Sequence, residues 1–260
     1  GRSRGFGFVS FDDDTAGNGF SRLQSNGTSE TVDFRNPTNS LTINAGDGAD
    51  VITINFLDDD FGVPVIVNGD AGDDTLFFAA GTNSDGSGAL PVGLTFEGGA
   101  GFDSADFSQG IDTAGLDGDL IVTAEDIRIA ETITVNGAAI NFIGPVTMFG
   151  DTVLDATTID FSDSLQTDSG TAEGSSFEVT GLTHISGFAR FTGDATFHSI
   201  VFFADDLQTS NGDHTAVFEN AVTIDGVSKL EGLNQFLGNL ILLQGPTEIT
   251  GTVEVPNGVL

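Results

Sequence analysis

The 260-residue chain sets 39 Asp and Glu against seven Lys and Arg, for a formal net charge of −32, and holds 36 Gly, 23 Phe and no Cys, Trp or Tyr. Such charge repels nucleic acid and anionic membrane and attracts divalent cations, while the lack of Cys excludes disulfide frameworks and thiolate metal sites. Frequent, evenly spaced Phe, Ile, Val and Leu exclude a disordered acidic chain, and no apolar run is long enough to span a bilayer.

At the start, Phe6, Phe8 and Phe11 alternate with small residues, which reads as a strand. The stretch Arg4-Gly-Phe-Gly-Phe-Val-Ser-Phe11 also resembles RNP1, the aromatic strand of RNA-binding RRM domains. An RRM needs a helix next, and Asp12-Asp-Asp-Thr-Ala-Gly-Asn-Gly19 cannot make one. The charge is also of the wrong sign for RNA, so the match is read as coincidence.

Beyond residue 40 the chain is short apolar runs divided by Gly, Asn, Asp and Ser, among them Leu41-Thr-Ile-Asn44, Val51-Ile-Thr-Ile-Asn-Phe56 and Val63-Pro-Val-Ile-Val67. This is strand and turn punctuation. Helix is arguable only at Ser21 to Ser25 and Ala124 to Ala130. Asp12 to Asp14 and Asp58 to Asp60 read as solvated loops.

Three Gly/Asp turns follow one another: Ala45-Gly-Asp-Gly-Ala-Asp50, Gly69-Asp-Ala-Gly-Asp-Asp74 and Gly98-Gly-Ala-Gly-Phe-Asp103. They resemble the haemolysin-type (RTX) calcium-binding nonapeptide, G-G-x-G-x-D-x-U-x. The resemblance implies calcium as cofactor, with Asp50, Asp74 and Asp103 as ligand carboxylates and Asp47, Asp70 and Asp73 as further acidic groups of the same turns. One departure is plain. Family copies recur every nine residues, whereas these Asp positions recur once per coil. Plain solvated turns are the other reading.

Further along, Glu178 to Phe197 aligns without a gap on Thr223 to Leu242, 45 residues later, with Gly181, Gly187 and Gly193 falling on Gly226, Gly232 and Gly238. In this alignment Val179 meets Ile224, His184 meets Lys229 and Arg190 meets Gln235. A second echo links Leu165-Gln-Thr167 to Leu207-Gln-Thr209. A period of 43–45 residues suggests two coils of a β-solenoid (parallel β-helix) with about 20–25 residues each, and about ten or eleven coils in all. A β-sandwich is the alternative fold. The strand repeats, such as Ile133-Thr-Val-Asn-Gly137, also resemble in style those of large bacterial surface and adhesin proteins.

The reading is one solenoid: N-terminal strands or cap over 1–40, Gly/Asp-turn coils over 41–110 and repeat coils over 111–260. The chain opens without an initiator Met and stops within a strand-like pattern, so it reads as a piece of a longer protein. The expected role is structural or adhesive, secreted or at a cell surface. Expected partners are calcium, further copies in a homo-oligomer or polymer, and a cell-surface polysaccharide, with no nucleic acid and no membrane insertion. No catalytic residue stands out: no nucleophile elbow occurs, and His184, His198 and His214 form no recognisable constellation. A polysaccharide-active β-helix enzyme or a polysaccharide-binding module is the alternative, and Arg128, Arg190 and Lys229 are the bases it would have beyond residue 35.

Overall fold

Alternation of inward and outward residues over three to seven positions, ended by Gly or Asp, leaves each strand too short to bury itself. Stacking neighbours solves this. The computed structural model describes residues 8–12, 17–25, 31–58, 60–78, 91–109, 111–167, 176–209, 214–250 and 252–255. Within them every element is a strand and none is a helix. Ser21–Ser25 and the segment after Ala124, the two places where a helix was arguable, lie in strands Phe20–Ser25 and Asp126–Ile129. Asp126–Ile129 follows the two-residue inward–outward alternation that burial imposes, and Phe20–Ser25 is held as a strand by antiparallel pairing with Thr31–Arg35.

From Leu41 onward every strand pairs in parallel with its counterpart one coil away, as Val51 does with Thr75, Ile127 with Val146 and Val201 with Val222. Parallel ladders exclude the sandwich, whose sheets are antiparallel. The fold is a β-solenoid of about nine turns with strands stacked about 21 residues apart, which at about 4.8 Å per rung is a rod on the order of 40 Å long.

Three faces enclose the core. The first holds Val51–Phe56, Thr75–Phe78, Ser104–Phe107 and Asp126–Ile129, then three-residue strands from Val146–Met148 to Thr247–Ile249. The second includes Ile133–Val135 and Thr215–Phe218. The third runs from Leu41–Asp47 through Leu94–Glu97 to Leu240–Gln244. Strands Thr152–Phe161 and Phe177–Ile185 span the bend between second and third faces, so these share one sheet.

Like residues stack on like. On the second face the rings of Phe197, Phe218 and Phe236 lie nearly parallel, with centroids 5.2 and 4.9 Å apart. On the third, the Phe142 ring packs on that of Phe161, tilted by 32° at 5.5 Å. All five rings are buried, each contributing roughly 1.5–3 kcal/mol of transfer free energy.

At the N-terminal end, Phe8–Asp12 pairs in parallel with Val51–Phe56 and antiparallel with Phe20–Ser25, which pairs antiparallel with Thr31–Arg35. Phe11 of the RNP1-like stretch is buried against Phe34, ring centroids 6.2 Å apart, and has no face to offer a base. Residues 4–7 of that stretch lie outside the described residues.

The 45-residue alignment is out of step with the coils. Val179 pairs with Phe197 on the second face, whereas Ile224 pairs with Phe203 on the third. The Leu165–Leu207 echo is in step: Ala189 pairs with both, so they stand two rungs apart.

Candidate functional site: a buried carboxylate ladder

The three Gly/Asp turns form the corner where the third face meets the first. Their glycines are required there. Gly72, at φ +138°, lies so close to the preceding coil that an added Cβ would sit 1.8 Å from the Gly48 carbonyl oxygen. Gly101 bears the same relation to Gly72, at 2.0 Å. Asp70 takes φ +72° at a position where the other two turns have Gly46 and Gly99, a local strain that an Asp tolerates better than most residues.

The structure brings Asp50, Asp74 and Asp103 into one column. All three are buried, at 2%, 0% and 1% exposure. Two of the carboxylates reach back one coil: Asp74 Oδ1 accepts the Asp50 N–H and Asp103 Oδ1 accepts the Asp74 N–H, both at 2.8 Å. Glu125 completes the series, with Oε2 accepting the Asp103 N–H at 2.9 Å. Asp47, Asp70 and Asp73 do not join it. They are exposed on the rim, where Asp73 Oδ1 accepts the Phe102 N–H at 2.9 Å.

Burial without full pairing shapes the electrostatics. Asp74 Oδ2 and Asp103 Oδ2 are buried and meet no hydrogen-bond donor. Burial, opposed by the Asp50 N–H and reinforced by the charges of Asp103, Asp50 and Asp70, holds the Asp74 carboxyl above its ordinary value of 3.8. Asp103 is likewise raised, first by burial and then by Glu125 and Asp73. An anionic column with orphaned oxygens is costly unless a proton or a cation neutralises it.

A hard cation suits an all-oxygen donor set. Among the described residues no three His, Asp or Glu side chains converge to hold a metal by themselves, so an ion at this corner would draw further oxygens from backbone carbonyls. The orphaned Oδ2 atoms supply the charge. Carboxylate oxygen is the donor type that calcium and other hard cations take.

Other acidic and basic groups have different roles. Asp58, expected on a solvated loop, is fully buried and accepts the N–H groups of Asn18, Gly19 and Asp60 and the Asn36 amide, clamping the N-terminal strands. His198 bridges coils, with Nε2 and Nδ1 each 2.9 Å from carboxylates of Glu178 and Glu219. Lys229 sits 2.7 Å from Glu231, which pushes the ammonium pKa up, opposite to what a proton-abstracting lysine needs.

Comparison with family models, with curated proteins and with solved structures yields no match. No helix long and apolar enough to cross a membrane occurs among the described residues.

Glu125 is the residue the sequence hides. Between paired positions Glu97 and Ser104 lie six residues (98–103), but only two (124–125) separate their partners Thr123 and Asp126. The corner shortens, the glycine motif vanishes, and a longer side chain reaches the same N–H. The only trace is an acidic residue just before a strand.

Proposed function

We propose that this protein is an extracellular structural or adhesive rod whose Gly/Asp corner binds calcium, and that it acts without catalysing a reaction. The observation carrying this reading is the buried Asp50–Asp74–Asp103 column with donor-less Oδ2 atoms on Asp74 and Asp103. Those carboxylates, with corner carbonyls, would hold the ion. Calcium would offset repulsion between carboxylates one rung apart and tie successive coils together. Extracellular calcium modules bind with Kd of about 10⁻⁴–10⁻³ M, which places such a rod where calcium is abundant. Surfaces of stacked strands also favour self-association into fibres or layers.

Thermal unfolding by circular dichroism, in EDTA and again in millimolar calcium, tests it. At millimolar free calcium and a Kd of about 10⁻⁴ M the expected gain is about 1.4 kcal/mol for one site. An unchanged melt would reduce the corner to ordinary turns. Mass in solution with and without calcium, by sedimentation, checks assembly.

A further inference from the structure

Three bases lie beyond residue 35 in this chain, and all three occupy one outward column of the first face. Strand pairing runs Arg128–Thr147–Gln166–Arg190–Gln208–Lys229, one residue per rung. Asp106 precedes the column and Glu248 follows it. Between them stand six consecutive positions without an acid, in a chain with 39. A coil has about 21 positions, so three scattered bases would rarely share one.

We propose that this column, locally basic on a chain whose net charge elsewhere repels polyanions, is a binding stripe for an extended acidic polysaccharide of the uronate type, lying along the solenoid axis. Each first-face strand here is inward, outward, inward, so every rung presents one side chain in a straight row. Arg190 and Lys229 are two rungs apart and Arg128 and Arg190 three, about 10 and 14 Å at the rung spacing. A sugar ring in an extended chain is about as long as a rung, so carboxylates several rings apart meet bases while Thr147, Gln166 and Gln208 meet hydroxyls. Guanidinium groups pair with carboxylates in a bidentate fork.

The bases are not equally engaged already. Arg128 lies 3.8 Å from Asp126 and over the Phe149 ring at 4.7 Å, and Lys229 pairs with Glu231. Arg190 is exposed, forms no ion pair among the described residues, and faces the like charge of Lys229 across Gln208. A cleft of about 210 Å³ lies among Arg190, Gln208, Lys229 and Thr192, and Glu231, the partner of Lys229, also lines it. An anion seated there relieves the repulsion between the two bases.

A second copy of the chain fits the stripe less well. On the outward column of the second face, Glu178 and Glu254 are four rungs apart with no acid between. On the third, the run Asp160–His184–Phe202–Thr223–Ile241 offers one acid. Neither matches the spacing of the bases.

This inference deepens the adhesive part of the proposed function and is independent of calcium. The test is titration of the protein, in EDTA, with octagalacturonate and with neutral maltooctaose, by calorimetry at low salt. Binding of the acidic chain alone, weakened by added salt, is expected. Arg190→Gln should lower affinity about tenfold, and Arg190→Gln with Lys229→Gln should abolish it while leaving the dichroism spectrum unchanged. Binding that persists in the double variant, equal binding of the neutral chain, or no binding would overturn the stripe. So would a double variant that changes only the mass in solution, since the column would then be a contact between copies. The calcium melt of the same protein fails or succeeds separately.

Discussion

Asp103 Oδ1 accepts the backbone N–H of Asp74 at 2.8 Å, while Asp103 Oδ2, equally buried, meets no donor. One oxygen therefore holds two coils in register and the other carries uncompensated charge. Asn keeps the first role and drops the second. In EDTA, Asp103→Asn is expected to melt at the wild-type temperature or higher, by about 1 kcal/mol. In calcium the variant should lose most of the wild-type gain. If Asp103→Asn responds to calcium like the wild type, the Asp103 carboxylate is no ligand.

The same charge sets a pH dependence. Asp74 and Asp103 have folded-state pKa values above the ordinary 3.8, chiefly through burial. The folded state thus holds these protons more tightly than the unfolded chain. Their contribution is most favourable below 3.8 and is lost as pH rises from there through the folded values. Calcium-free protein should therefore gain melting temperature from this pair on acidification from neutrality, and calcium should remove that gain at neutral pH. Melts of Asp74→Asn with Asp103→Asn, which should lack this component, isolate it from the other carboxylates.

The histidine between coils works with the same sign at higher pH. Its two carboxylate neighbours, Glu219 foremost and then Glu178, raise the His198 pKa above 6.5. Stability from that bridge is complete below 6.5 and lost as pH rises through the folded value. A proton titration of His198 by NMR should show the upward shift, and Glu219→Gln should reverse most of it. The bridge is half-exposed, so the effect on melting is small.

Much of this was legible in the sequence, and the misregistered alignment has a physical origin. Each side of a coil is an inward–outward–inward strand and a corner, so sliding the chain by one side again sets apolar on apolar and Gly on Gly. Two coils separate Ile185 from Ile224, 39 residues apart through Phe203, yet the 45-residue alignment places Val179 on Ile224. That slip of one side set Arg190 against Gln235 and hid its column with Lys229. Asp50, Asp74 and Asp103 were readable because glycine spacing within each turn fixes them. Glu125 was not, because its corner lacks those glycines. Phe102, 60% exposed, also breaks the inward pattern that most Phe follow.

Glycine positions separate close stacking from mere turning. At Gly72 both φ and the Gly48 carbonyl forbid a side chain, whereas Gly62 has no left-handed φ and nothing within 4 Å of an added Cβ. Gly72→Ala is expected to cost more than about 3 kcal/mol or to prevent folding, and Gly62→Ala to change stability by less than about 1 kcal/mol. Urea unfolding of the two variants measures the contrast. Equal midpoints would mean that the corners do not stack as closely as described.

The Phe ladder makes the last test, because it asks whether stability is spread along the rod. Phe218 is sandwiched between Phe197 and Phe236, and its ring also meets Phe203 edge-on at 6.2 Å. Phe218→Ala should cost about 3–5 kcal/mol, since neighbours pinned by rung hydrogen bonds cannot collapse into the cavity. In a solenoid each coil contacts chiefly its neighbours, so local loss need not unfold the whole. Hydrogen exchange on Phe218→Ala should therefore show protection lost in the coils around Thr215–Phe218 and retained around Asp50 to Asp103 in calcium. Uniform loss along the chain would instead show that the rod unfolds as one cooperative unit, with the corner and the ladder stabilising the same transition.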